Sequence, residues 1–232
     1  MKKKNYIEFL FLSILGAISS LSLPPYNIFF INFITFSLFF IFLFNKKKLE
    51  NKKNHFLYGW FFGFGYFFTN LYWISISLTF DKNFQFLIPL VLLLIPSFLS
   101  IFYGFVTYIY FKVNIIKPIS NIFLFSLLFG LFEFIRGNIL TGFPWNLIAY
   151  SFSDNLEIIQ ITSFIGIYAF NTLCILLFIS PSIFVLWQNK KEIIICLFLI
   201  LSPIFLFVFG SSKINSFNSL DLIHNDYVIR SV

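Results

Sequence analysis

Seven stretches of this chain are apolar for long enough to reach across a lipid bilayer, or nearly so, and the rest of the sequence is arranged between them. They cover residues 7–23, 28–44, 56–78, 86–111, 119–135, 158–187 and 193–210. The hydrocarbon core of a bilayer is about 30 Å thick, a distance that about 20 helical residues cross. A helix is the natural form for such runs, because it pairs its own backbone groups where no water can. Only 11% of the residues are charged, 59% are hydrophobic, and the mean hydropathy is +0.90. A soluble domain carries about 25% charged residues, so a soluble core is excluded. The expected fold class is an all-α polytopic membrane protein with about seven transmembrane helices.

The breaks between runs have local causes. Pro24 and Pro25 end the first, since proline has no backbone N–H for a continuing helix. That run follows Lys2, Lys3 and Lys4 and contains Ala17 and Ser19, so it resembles a cleavable signal. The six further runs favour an uncleaved first span. Gly59, Gly63 and Gly65 open the third run and suit close helix approach, and Pro89 and Pro96 predict a kink in the fourth. The net charge of +7 invites no nucleic-acid partner, because the basic residues sit in short loops. Twelve of the sixteen (Lys2–Lys4, Lys46–Lys48, Lys52, Lys53, Lys112, Lys117, Lys190 and Lys191) fall on one side of the predicted topology. Lys82, Arg136, Lys213 and Arg230 fall on the other. The positive-inside rule makes the first side cytoplasmic, with the N-terminus inside and the C-terminus outside. Cys174 and Cys196 lie within apolar runs and read as small buried hydrophobes. No metal site or cofactor is expected.

Residues 131–150, LFEFIRGNILTGFPWNLIAY, depart from the pattern. Glu133 and Arg136 stand three apart at the end of the fifth run, followed by the turn Gly142-Phe143-Pro144-Trp145 and an amphipathic piece ending at Tyr150. Ionisable residues at membrane depth are costly and usually functional. Two readings stay open. Arg136 either holds a lipid phosphate or supports the loop, its planar fork suiting bidentate contacts, or it only pairs with Glu133. Trp145, Tyr150 and Trp73 either line a lipid path or anchor the chain at the interface. Asn171, alone in a span, reads as an interhelical hydrogen-bonding residue.

The tail is different in kind. Residues 226–232, DYVIRSV, alternate as an opening β-strand does, and a single strand has no partner. The expected division is a transmembrane domain over residues 1–210 and, over 211–232, a linker with the first strand of an extracytoplasmic domain.

The segment F-E-F-I-R-G-N-I-L-T-G-F-P-W with the following Tyr150-Ser151 resembles the membrane part of the apolipoprotein N-acyltransferase family. Trp73 with Ser77, and the turn Leu23-Pro24-Pro25-Tyr26, add to the likeness, while Ala149 stands where glycine is expected. The resemblance implies seven spans leading into a nitrilase-like domain on the outer face of the bacterial inner membrane. It implies transfer of an acyl chain from a membrane phospholipid to the N-terminal diacylglyceryl-cysteine of an apolipoprotein, through a Glu-Lys-Cys triad. No residue here takes a triad position, so no catalytic residue is assigned and the chain alone is expected to be inactive. The substrate-contact candidates are Arg136, Glu133, Trp145, Tyr150 and Trp73. The alternatives are a small membrane transporter, which would show charges facing a path or paired broken helices, and a membrane scaffold that recruits a partner domain.

Overall fold

A computed structural model describes residues 3–48, 54–139 and 142–219. Among them are no strands and seven helices of sixteen residues or more: α1 (Lys3–Ser19), α2 (Ile31–Lys48), α3 (His55–Asn70), α4 (Ile88–Lys112), α5 (Pro118–Asn138), α7 (Thr162–Ile179) and α9 (Lys190–Asn218). Two single turns, α6 (Leu156–Ile159) and α8 (Ile183–Leu186), lie before and after α7. The all-α polytopic membrane fold is as the apolar runs predict. Five segments are long and apolar enough to cross a membrane by themselves: Asn5–Ser22, Lys82–Lys112, Pro118–Asn138, Thr162–Leu186 and Lys190–Phe217. The other two long helices differ for plain reasons. α2 ends in three lysines, and α3, at sixteen residues, rises only about 24 Å.

Several ends fall elsewhere than hydropathy suggests. The third run is α-helical only to Asn70, and Tyr72–Thr79 continues as a 3-10 helix with no buried residue. Hydropathy does not distinguish an apolar surface facing lipid from one facing the bundle. The sixth run is broken at Gly166, which has φ +75°, and its N-terminal end turns through α6. The last helix continues eight residues past 210, to Asn218. The strand expected at 226–232 lies outside the described residues, as do Lys52, Lys53 and Thr141 of the sequence motifs.

α3 is the hub of the bundle, gripped between α1 and α4. Its glycines explain how. A Cβ on Gly65 would collide with the Ser13 carbonyl of α1, and one on Gly59 with the Tyr103 carbonyl of α4. Backbones therefore touch, as small residues permit in helix packing within lipid. The centre is aromatic: Phe39 stacks on Phe62 at 4.1 Å, and Tyr103 meets Phe129 edge-on at 4.5 Å. α5 packs on α4 and α7, and α2 on α7 and α1. Buried polar groups are tied across elements. Asn32 accepts from Ser19 Oγ at 2.6 Å and donates to Ser22 Oγ at 2.8 Å. The α7 span is 67% buried, whereas the α9 span is only 11% buried. α7 therefore belongs to the core, while α9 leans on α6 and α8 with its apolar surface turned outward.

Candidate functional site

The distinctive chemistry lies at the end of α5. Glu133 and Arg136 are each 1% exposed. Arg136 Nε donates to Glu133 Oε2 at 3.0 Å, and Nη2 donates to the same oxygen. The other arm of the fork turns to the loop that follows. Nη1 donates to the carbonyls of Phe143, at 2.7 Å, and Trp145, at 2.9 Å. Four hydrogen bonds occupy four of the five guanidinium N–H groups, since arginine carries five donors. The guanidinium carbon also lies 5.2 Å from the Phe67 ring centre and 5.9 Å from that of Phe143. A cation lying over aromatic rings, paired and hydrogen-bonded, is one that tolerates burial.

The loop is built to receive it. Gly142, at φ +74°, reverses the chain so that Phe143 N bonds back to the Arg136 carbonyl at 3.1 Å. Two further buried side chains take up the loop's backbone. Tyr66 of α3 donates to the Asn146 carbonyl at 3.0 Å, and Asn171 Oδ1 of α7 accepts from Ala149 N at 2.9 Å. The loop backbone is thus hydrogen-bonded from below by α3, α5 and α7. Ala149 lies in a 3-10 turn, Ile148–Phe152, a right-handed conformation that does not require the glycine expected there.

The sequence candidates fall into two groups in space. Glu133 and Arg136 are the buried support. Trp73, Trp145 and Tyr150 lie nearer the surface: the Trp73 and Trp145 rings meet at 6.3 Å and 61°, both exposed, and Tyr150 Oη lies 3.3 Å from the Pro144 carbonyl. Burial pushes the Tyr150 hydroxyl above its ordinary pKa, with Tyr168 adding to the effect, so it stays protonated. Tyr66 and Tyr103 were not singled out in the sequence. Tyr103 of α4 sits beside the Glu133 carboxylate, and its hydroxyl and Glu133 Oε1 are buried with no partner besides each other. A tyrosine in an apolar run gives no sign of which neighbour it meets. Asn171 bonds the buried 3-10 turn at Ala149 rather than one of the long helices.

Beside the pair, a groove of about 360 Å³ runs between α4 and the loop. Leu94, Phe98, Phe102, Ile139 and Phe143 line it, and Arg136 is its one charged wall residue. Among the described residues, no three His, Cys, Asp or Glu side chains gather as a metal site would need.

A bundle of helices long and apolar enough to cross a membrane, with an apolar groove beside a loop tied to a buried ion pair, defines a polytopic membrane protein. Residues 15–180 match the model of the apolipoprotein N-acyltransferase N-terminal domain, and the chain belongs to that family. It is 33% identical over 180 residues to an apolipoprotein N-acyltransferase of Brucella melitensis, covering 72% of this chain and 33% of that protein. It is 32% identical over 178 residues to that of Rhodopseudomonas palustris (73% and 32%) and 32% identical over 184 residues to that of Rhizobium etli (76% and 34%). The chain therefore spans about a third of the length of the curated relatives it matches. It is a multi-pass bacterial membrane protein of an acyltransferase family.

Proposed function

We propose that this chain is the membrane part of an apolipoprotein N-acyltransferase, seating a phospholipid whose acyl chain is passed to the N-terminal diacylglyceryl-cysteine of a lipoprotein. The observation that carries the reading is the groove between α4 and the loop. It is apolar enough for an acyl chain, and its single charged wall residue, Arg136, already has most of its donors committed. Arg136 and Glu133 act here as positioning residues that hold the loop. Trp73, Trp145 and Tyr150 form the rim over which the lipid enters. The uneven lysine distribution supports residence in the inner membrane, with the N-terminus cytoplasmic and the loop on the periplasmic side.

Transfer through a thioester needs an activated thiol with a base beside it. Cys174 and Cys196 are buried within helices, and Cys196 Sγ is 3.1 Å from the Ser180 carbonyl rather than near a base. The chemistry is therefore assigned to residues of the family beyond the matched region, and this stretch alone is expected to be inactive. A transporter is disfavoured because Glu133 and Arg136 bond each other instead of facing a polar path.

The test uses the purified chain with a phospholipid carrying a photoreactive acyl chain and a diacylated lipopeptide acceptor. Crosslinks are expected at groove residues such as Phe98 and Phe143, lost on filling the groove with Leu94→Trp, with no N-acylated peptide formed. Crosslinks confined to other faces would overturn the groove. Turnover that survives Cys174→Ala with Cys196→Ala would overturn the assignment of chemistry elsewhere.

A further inference from the structure

At the opposite end of the bundle a second cavity has different walls. It measures about 380 Å³ and lies between the last turn of α2 and the connection into α5, lined by Phe44, Lys47, Lys48, Asn114, Ile115 and Ile116. Asn121, fully buried, organises it. Its Oδ1 accepts from Lys47 Nζ at 2.9 Å, while its Nδ2 donates to the carbonyls of Ile115 and Lys117 at 3.0 and 2.9 Å. One amide thus fixes both a lysine on α2 and the facing loop. Lys47 is half-buried with its ammonium 4.2 Å from the Tyr110 ring centre, and Lys48 lies over Phe44 at 4.9 Å. The neighbouring Lys46 is already paired with Glu8 at 2.6 Å. Lys47 and Lys48 have no described carboxylate partner. The first turn of α5, the positive pole of that helix, begins two residues beyond Ile116.

We infer that this cavity binds the phosphate of an anionic phospholipid, with Lys47 and Lys48 on the headgroup and Phe44, Ile115 and Ile116 against the glycerol and upper acyl chain. A basic pocket between helices at a membrane surface suits such a headgroup. Two features favour a lipid over a free phosphate: half of the lining is apolar, and Ile116, 72% exposed, extends that surface outward. The site is separate from the groove beside Arg136. Its assignment to the inner leaflet rests on the orientation proposed above.

The experiment is native mass spectrometry of the detergent-purified protein titrated with phosphatidylglycerol, with phosphatidylcholine as the neutral comparison. Lys47→Gln and Lys48→Gln are each expected to weaken phosphatidylglycerol retention roughly fivefold, the worth of one lysine near a charged lipid surface, and to leave phosphatidylcholine unchanged. Lys190→Gln with Lys191→Gln, at another basic turn, is expected to change nothing. Unchanged retention in the pocket variants, or equal losses in the control, overturns the site. Inorganic phosphate binding as tightly as the lipid overturns the lipid assignment. Lys48 is exposed and its replacement spares the fold, so Lys48→Gln carries the test if Lys47→Gln unfolds the protein. Labelling Asn45→Cys with a membrane-impermeant maleimide reads the leaflet, because the native cysteines are buried. Labelling in inverted vesicles alone supports the inner leaflet. Labelling from outside overturns that part and leaves the lipid-retention result to judge the pocket.

Discussion

Replacing Arg136 with methionine tests how the site is held. The methionine keeps much of the side-chain length and removes four hydrogen bonds: two to Glu133 Oε2 and one each to the Phe143 and Trp145 carbonyls. The unequal fates of the abandoned groups set the cost. The loop carbonyls are near the surface, where water can replace each bond at about 0.5–1.5 kcal/mol. Glu133 is 1% exposed, and beyond Arg136 only the Tyr103 hydroxyl lies beside its carboxylate. Removing one member of a buried pair costs about 3–5 kcal/mol, so the stranded carboxylate should account for a loss of that size, with the loop carbonyls adding to it. The double variant Arg136→Met with Glu133→Leu should therefore recover most of it, leaving about 1–3 kcal/mol for the two loop carbonyls. SDS-titration unfolding in mixed micelles, followed by circular dichroism, gives the double-mutant cycle. Limited chymotrypsin digestion reports the loop separately, and cleavage around Phe143–Tyr150 should rise in single and double variants alike. A loss under about 1 kcal/mol for Arg136→Met, or a double variant less stable than the single, would refute the account.

Three further outcomes follow from contacts elsewhere in the bundle. Gly65→Val drives a side chain into the Ser13 carbonyl and should cost at least about 3 kcal/mol by the same unfolding assay. Gly166→Ala meets nothing within 4 Å and should cost only about 1–3 kcal/mol through its φ of +75°. Asn171→Leu should cost about 1–3 kcal/mol by leaving the Ala149 N–H unpaired and should speed hydrogen exchange at that amide more than at its neighbours. Unchanged exchange would mean the bond is dispensable.

Whatever depends on local chemistry could be read from the sequence. The apolar runs gave the helices, the glycines at 59 and 65 gave the helix contacts, and Glu133 with Arg136 stood out as an ionisable pair at the end of an apolar run. Long-range partners could not be read. Nothing in the apolar run around Tyr66 says that its hydroxyl reaches Asn146, eighty residues on. Nothing around Tyr103 says that it faces Glu133. The change at Asn70 from α-helix to 3-10 helix was also hidden, since the residues on either side are equally apolar. The residues alone left open whether Arg136 pairs with Glu133, supports the loop or holds a phosphate, because its two loop acceptors are main-chain carbonyls, which leave no trace in side-chain composition.

The spacing of the ion pair also bears on how the protein is made. Glu133 and Arg136 lie one turn apart on the same helix, so α5 carries its own counter-charge as it leaves the insertion machinery. A charge near the middle of a helix entering the bilayer costs about 2.5–3.5 kcal/mol, and less towards its end. A pair that closes within one turn lowers that cost before α7 has been synthesised. The carbonyls of Phe143 and Trp145 emerge seven and nine residues after Arg136. The partner that makes the helix insertable therefore arrives first, and the partners that shape the surface arrive afterwards.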